Sequence, residues 1–426
     1  MQIIAIQPLG RNRETPRLWL ESQRLESLGF TPGTPLQIER QSEGITLRAG
    51  ILGENHVSSR AVAGGRRPII DLENQSLLSG LAEFSEIKIV ASFERIQVMP
   101  SVRAFAVQRS RSLLPPFRVL EVFAGGGTMT AALKREACFQ VIGGIEIEPD
   151  FADEWQGSHR EAALFQTDIR ALHTSELPKF DILIGGIPCT SHSNLGRAKK
   201  SLAGKPELGD TGDLFLPVLK FMSERMPAAA LFENVPGFGS SLAGELFVSH
   251  LKRIGYQVSV SILEPNRDWG EIEDRRRWVL VATLDRPFTL RVPREPSTAP
   301  LSTFLDPPDA AQDREDAERI ARTIEGLRAH NARHQAAGHG FAFTVVDGTE
   351  IRVPVIPKSY HKINTGPFVQ TPFGPRLLRQ TEIERLHGCE LHTRHYSTAV
   401  QILGQGVQTR IFQRIFRQLE EHLMAR

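Results

Sequence analysis

Cysteine is scarce in this chain of 426 residues: there are three, Cys138, Cys189 and Cys389, and no two form a CxxC pair. That excludes a disulfide framework or a thiolate zinc site as the organising device, and it fits a reducing compartment. Long apolar runs are lacking too. No stretch is long enough to cross a bilayer, and the opening MQIIAIQPLGRNRE has no basic segment followed by an apolar one. No membrane partner and no secretion signal are expected, and the expected location is cytoplasmic. An excess of one charge is also missing. The formal net charge of +2 selects no partner, because a nucleic-acid enzyme can confine its basic groups to one cleft. With 40% hydrophobic and 23% charged residues the composition is that of a folded protein, and the length asks for two or three domains.

Four stretches read differently. Residues 1–112 hold two similar units, Pro16 to Arg48 and Pro68 to Pro100. Pro16, Leu18, Leu20 and Leu25 match Pro68, Ile70, Leu72 and Leu77; after a one-residue slip, Leu36, Ile38, Ile45 and Leu47 match Ile87, Ile89, Ile96 and Val98. Each unit ends in two alternating strands joined by a short turn. Residues 113–285 alternate apolar β-rich runs (RVLEVF, FQVIGGIEI, FDILIGG, AALFENV, YQVSVSIL, RWVLVAT) with helical spacers, which predicts buried strands, parallel crossovers and a doubly wound α/β domain. Residues 286–375 begin proline-rich, continue in a charged helix around Ala310–His334 and turn irregular. Residues 376–426 are helical again and end amphipathic.

The first strand leads into VLEVFAGGGTMTAAL. Gly125, Gly126 and Gly127 lie between strand and helix, where small residues let backbone approach a nucleotide-like ligand. The full GxGxxG spacing is missing, and a lone glycine turn is often only a tight connection. Glu146, ending the next strand, has the place of an acid that accepts from ribose hydroxyls; Asp168, in QTDIR, has the place to meet an adenine amino group. Either acid alone is more often a cap or a solvated charge. In order, each just after a strand, they favour an adenosyl ligand.

Cys189, in FDILIGGIPCTSHSNLGR, follows Pro188 at a strand's C-terminal end, where open α/β sheets build their sites. Polar residues from Thr190 to Arg197 follow it. That is the setting of an exposed nucleophile rather than of the small buried hydrophobe that cysteine usually is. Glu233, in LFENVPGF, is expected along the same sheet edge. Arg275 and Arg277, in DRRRWVLV, are expected to share one strand face and one target, with Arg276 turned away.

In this order the motifs resemble the cytosine-5 DNA methyltransferases. FAGGG, Glu146, the TDI at Asp168, GGIPC, GDLF at Gly212–Phe215, ENV at 233–235, the paired arginines, RLLRQTEIERLHG and GQGV at Gly404–Val407 all match, over about residues 117–285 and 376–426. The resemblance implies a Rossmann-like catalytic domain that uses S-adenosyl-L-methionine as methyl donor and needs no metal. It implies that the Cys189 thiolate adds to carbon 6 of a flipped cytosine and that Glu233 holds or protonates its N3 edge. Arg275 and Arg277 then steady the base carbonyl and the Cys189 loop. Around the cofactor it places Phe123, Ala124, Gly125, Gly127, Thr128, Glu146, Ile147, Asp168, Ile169, Pro188 and Leu214, with Gln405 and Gly406 returning beside the glycine turn.

The chain departs from the pattern in places. The family usually has Gln-x-Arg-x-Arg where Glu273 stands first here, and Gly-Asn-Ser-Val where Gly404-Gln405-Gly406-Val407 stand. Thr190, His192 and Thr211 also occupy positions where other residues are common. The resemblance makes 286–375 a small, largely irregular target-recognition domain with Arg328, His330, Arg333, His334, Lys358, His361 and Lys362 for phosphates and base edges. His330 and His334 have helical metal spacing, but no third ligand is evident and a solvated helix face is the stronger reading.

Through GFTPGTPLQI and SEIKIV the N-terminal repeats resemble AbrB-like and SymE-like swapped-hairpin modules. That implies a β-rich domain that binds DNA or serves as an oligomerisation module, with Arg60, Arg66 and Arg67 as candidate phosphate contacts. The expected partners are double-stranded DNA, a cognate restriction endonuclease in a restriction–modification or phage-defence system, and a second copy held through the N-terminal domain. Two other readings stay open. One is an RNA cytosine-5 methyltransferase, although the Cys-Phe-Thr signature of the tRNA-acting branch is not found. The other is a DNA-binding regulator with an inactive methylase domain, against which intact Cys189, Glu233, Arg275 and Arg277 stand.

Overall fold

The computed structural model describes residues 2–50, 53–133, 136–188, 211–336, 338, 343–364 and 366–425, in two compact units, Met1–Ser112 and Leu113–Arg426. Among the described residues no helix is long and apolar enough to cross a membrane.

In the first unit the two sequence repeats interlock. Its strands are β1 (Ile3–Gln7), β2 (Gly10–Asn12), β3 (Thr15–Glu21), β4 (Pro35–Gln41), β5 (Gly44–Ala49), β6 (Asn55–His56), β7 (Ser58–Val62), β8 (Gly65–Glu73), β9 (Ile87–Ser92) and β10 (Arg95–Pro100). They form two sheets, β1-β9-β10-β5-β4-β6 and β2-β3-β8-β7. Strand β3 pairs antiparallel with its repeat counterpart β8, Leu18 opposite Leu72 and Leu20 opposite Ile70. Likewise β5 pairs with its counterpart β10, Leu47 opposite Ile96 and Ile45 opposite Val98. Equivalent positions cross in each pair, so a local two-fold relates the repeats. Alternation then delivers Leu18, Ile45, Leu47, Ile70, Leu72, Ile96 and Val98 to one shared core.

The second unit is built on a seven-stranded sheet in the order β13-β12-β11-β14-β15-β17-β16. Its strands are β11 (Phe117–Val122), β12 (Phe139–Glu146), β13 (Ala163–Gln166), β14 (Ile182–Gly186), β15 (Ala229–Asn234), β16 (Gln257–Leu263) and β17 (Arg277–Thr283). All six apolar runs singled out in the sequence are strands. Strand β13 was not among them: as a four-residue edge strand with no fully buried position, it lacks the signature of a sheet interior. One expectation is corrected. Strand β17 runs antiparallel to both β15 and β16, because a single short helix, Pro265–Asp268, separates it from β16 and no crossover passes over the sheet.

Helices cover both sheet faces. On one, Val119, Ile182, Ile184, Leu231 and Val281 pack under the amphipathic helix Thr409–Met424, through Ile411, Phe412, Ile415, Phe416 and Leu419. On the other, Phe247 of helix Leu242–Arg253 stands edge-on to Phe232 of β15, ring centroids 5.2 Å apart. The stretch after β17 carries helix Ala310–Ala336 and a small sheet of β18 (Val345–Val346), β19 (Phe368–Thr371) and β20 (Gly374–Arg376). Arg376 is buried and joins that helix to the chain beyond, with Asp313 at 3.1 Å and Glu382 at 2.8 Å. A guanidinium taken out of water requires such partners. Helices Gln380–His387 and Tyr396–Gln405 share one apolar core with this stretch.

Candidate active site

Strand β11 ends in a turn whose backbone fixes what its side chains can do. Phe123, Gly125 and Gly127 take φ of +53°, +54° and +79°, a region that costs glycine nothing and phenylalanine something. The turn closes through Gly127 N–H to Ala124 O at 2.9 Å and then starts the helix Thr128–Ala131. Glu146, at the end of β12, stands opposite. Its carboxylate accepts the Gly125 N–H at 2.6 Å and the Ile147 and Glu148 N–H groups at 2.9 Å each. Three donors leave part of its acceptor capacity free. Beside it Ile147 is 55% exposed, a bare apolar face next to a fixed carboxylate, while Phe123 is half-buried. A planar base and a diol fit such a cradle.

Asp168 lies at the next strand end, capping the short helix Ile169–Ala171, with its carboxylate gripped by Arg170, whose Nη2 is at 2.7 Å. That guanidinium and the Arg170 N–H hold the Asp168 carboxyl below the usual range. Ile169, Ala124, Thr128 and Leu214 are buried and Pro188 is half-buried. Gln405 is exposed and reaches over the turn: a Cβ on Gly125 would lie 3.8 Å from its Nε2. Gly406 packs against Thr128, where a Cβ would come within 2.5 Å of Oγ1.

Below the turn is a buried acid that the sequence reading passed over. Glu121 of β11 accepts Trp155 Nε1 at 2.7 Å and Thr130 Oγ1 at 3.0 Å. Burial pushes its carboxyl up to about 8, against those two donors. Trp155 in turn fills the space above Gly144 and Gly127. The available signal was an acid inside an otherwise apolar strand.

Cys189 lies outside the described residues, as do Thr190 and His192. The chain leading to Cys189 is described. Gly186 of β14 pairs with Glu233 of β15, and a Cβ on Gly186 would sit 3.0 Å from Glu233 Oε2. Asn234, matched in the sequence as part of ENV but given no role there, donates from its side chain to Ile187 O at 3.1 Å and fixes the start of that segment. Glu233 is 6% exposed and has Arg277 Nε 2.5 Å from Oε1. Burial raises the Glu233 carboxyl above its ordinary value while Arg277, then Arg275, pull it back.

The two arginines go to different places. Strand β17 begins only at Arg277, so strand alternation does not apply to Arg275 and the expected shared face is not formed. Arg277 faces Glu233. Arg275, 1% exposed, donates to Gly406 O at 3.0 Å, Leu403 O and Ile356 O at 3.2 Å, Gly404 O at 2.6 Å and Glu273 Oε1 at 3.2 Å. Arg276 is exposed and paired with Glu264.

In the first unit Arg60 and Arg67 both engage Glu21, at 2.6 and 3.4 Å, and Arg66 donates to Ser59. His330 and His334 stand on one turn of helix Ala310–Ala336, ring centroids 4.2 Å apart.

The sheet order and the glycine turn at the end of β11 define a Rossmann-like α/β domain. The model of the C-5 cytosine-specific DNA methylase family matches residues 117–421, and the chain belongs to that family. It is 26% identical over 280 residues, 64% of this chain and 85% of the relative, to the Type II methyltransferase M.NlaX of Neisseria lactamica. It is 27% identical over 191 residues, 42% of this chain and 46% of the relative, to the human tRNA (cytosine(38)-C(5))-methyltransferase. The structure of the S. pombe Dnmt2 methyltransferase superposes with a TM-score of 0.58 at 18% identity, over 72% of this chain and 99% of that one, a likeness of fold. The chain's activity is therefore C-5 cytosine methyl transfer, with S-adenosylmethionine as the family's donor.

Proposed function

We propose that the protein methylates carbon 5 of cytosine in double-stranded DNA through a covalent bond between Cys189 Sγ and carbon 6 of a flipped base. S-adenosylmethionine supplies the methyl group, held by Glu146 at the ribose, by Phe123 and Ile147 at the adenine faces, by Asp168 at its amino group, and by Leu214, Pro188, Gln405 and Gly406 around it. Glu233 holds the base's N3 edge, and its raised carboxyl favours the protonated form that can donate there. Arg277 carries the countercharge. Arg275 acts on the base indirectly, by fixing backbone.

One observation carries the reading. A buried acid and an arginine meet at the end of β15, against the glycine that leads into the Cys189 segment. An acid desolvated there is costly unless it is paired or used in chemistry, and here an arginine pairs it at the mouth of the segment that carries the nucleophile. Residues 286–375 serve as the recognition domain, and a restriction–modification setting agrees with the Type II relatives. RNA is the second reading, favoured by the human tRNA-modifying relative.

The test uses tritiated S-adenosylmethionine with duplex DNA and, separately, tRNA. Label in DNA cytosine that Cys189→Ser abolishes supports the proposal. Equal label from both proteins removes Cys189 from its role, and label in tRNA alone moves the substrate to RNA.

A further inference from the structure

Glu273 stands where the family usually has glutamine, and nothing in the chemistry above uses its charge. It is fully buried. Oε1 accepts the Ile356 N–H at 2.9 Å and Arg275 Nη1 at 3.2 Å. Oε2 lies 3.2 Å from Nε2 of His387, the last residue of helix Gln380–His387, which is equally buried. Burial opposes the charged form, yet His387 and then Arg275 outweigh it and hold the Glu273 carboxyl well below its usual range.

A glutamine at this place would meet Ile356 and Arg275 with its amide oxygen and bury no charge. A carboxylate is more demanding. Its second oxygen needs a donor too, because a bare charged oxygen in the interior is strongly unfavourable. Among the described residues His387 Nε2 stands 3.2 Å from that oxygen, close enough for an ion pair but not aligned as a hydrogen bond.

The contacts continue beyond the pair. Arg275, once held by Glu273, binds the carbonyls of Leu403, Gly404 and Gly406. Gly406 lies against Thr128, and the next residue, Val407, donates its N–H to Thr128 Oγ1 at 3.1 Å. Any shift of the guanidinium is therefore passed to the helix that starts at the glycine turn.

We propose that Glu273 and His387 are a matched positioning pair for the cofactor end of the active site. His387 Nε2 faces the second carboxylate oxygen at ion-pair distance, 3.2 Å, Glu273 holds Arg275, and Arg275 holds Leu403–Gly406 against the glycine turn. The kinetic readout of this inference rests on the cofactor site proposed above; the coupling between the two residues does not.

Four full-length chains decide it: wild type, Glu273→Gln, His387→Leu and the double variant. Melting temperature, kcat, and KM for S-adenosylmethionine and for DNA are measured for each. His387→Leu is expected to raise the cofactor KM by about tenfold while leaving the DNA KM within about twofold, and to lower the melting temperature. Glu273→Gln costs little alone, and adding it to His387→Leu restores most of both losses, since the unmatched charge is gone. A His387→Leu loss of the same size in both backgrounds overturns the pairing. If His387→Leu does not fold, a folded double variant supports the proposal and an unfolded one overturns it. His387→Gln, whose amide can donate to Oε2, is expected to keep the cofactor KM near wild type; a tenfold rise there also counts against the pair. A Glu146→Ala chain with unchanged cofactor KM sinks the cofactor site instead, and the pairing is then judged by the melting temperatures.

Discussion

Thr128 Oγ1 accepts the backbone N–H of Val407 at 3.1 Å, across 279 residues of sequence. The bond joins the first turn of helix after the glycine segment to the chain that re-enters the domain at its C-terminal end. Both residues are buried, and Gly406 beside them leaves no room for a side chain. The cofactor side of the proposed site would thus draw on both ends of the family region, residues 117–421.

Thr128→Val keeps the shape and removes the acceptor. The Val407 N–H is then buried without a partner, at a cost of about 1–3 kcal/mol. Urea unfolding of the whole chain should report that loss. Because the break lies at the glycine turn, KM for S-adenosylmethionine should rise several-fold while KM for DNA stays put. An unchanged cofactor KM in a destabilised protein would make the bond purely structural.

Glu121 predicts a pH dependence of stability. Its carboxyl is raised in the folded chain to about 8, above an ordinary value of 4.5, with burial the main cause and the nearby Glu146 carboxylate a lesser one. The folded state thus binds the proton more tightly than the unfolded one. The neutral acid's contribution is complete below the unfolded value and declines as pH climbs toward 8, reaching a few kcal/mol at most. Glu121→Gln keeps an acceptor for Trp155 and cannot ionise. Unfolding free energies at about pH 5 and pH 9 should fall for wild type and stay nearly level for the variant. Parallel falls in both would place the titration elsewhere.

How far the sequence could be read follows from which interactions are local. Apolar runs bounded by turns foretold β11, β12, β14, β15 and β17, because strands buried on both faces must be continuously apolar. Strand β16, expected to be buried like them, is an edge strand with Val260 and Ile262 exposed. The short edge strand β13 carries no such pattern, and the reversal of β17 depends on what lies between it and β16 rather than on the strand itself. The pairing Pro16 with Pro68 and Leu36 with Ile87 revealed two repeats. That β3 and β8 pair across a local two-fold was beyond it, since pairing is a long-range choice. In the site, Gly125, Glu146 and Glu233 were legible because each sits at a strand end with a motif around it. Arg275 was misplaced by one assumption, that the strand had already begun. The partnership of Glu273 with His387 spans more than a hundred residues, and no local pattern announces it.

The divergent roles of Arg275 and Arg277 can be separated by the same conservative change. Lysine cannot span the four carbonyls that Arg275 reaches, because it offers one flexible donor group in place of a planar fork. Arg275→Lys should therefore cost about 2–4 kcal/mol of stability through buried carbonyls left without donors. Arg277→Lys keeps a cation near Glu233 but loses the fixed guanidinium geometry beside that carboxyl, where the base is proposed to bind. Its stability should change by under about 1 kcal/mol, while kcat falls by about tenfold or more. Stability and rate changing in the reverse assignment would exchange the two roles.

The first unit has its own core, and two of its three candidate phosphate-binding arginines are already committed. Arg60 and Arg67 share Glu21, and Arg17 is held by Asp71 at 2.7 Å, so this sheet face presents paired rather than free cations. A phosphate drawn to Arg60 must compete with a carboxylate and also repel it. Removing residues 1–112 leaves the seven-stranded sheet and both of its helical layers complete. The remaining chain should fold, methylate DNA with kcat near wild type, and keep its DNA KM within about twofold. Backbone contacts show as a salt slope, so the logarithm of DNA affinity against the logarithm of salt concentration should have the same slope with and without the unit. A slope shallower by about two or more in the shortened chain would instead assign phosphate contacts to the repeats, and Arg66, which donates to Ser59 and has no carboxylate partner among the described residues, would be the first to substitute.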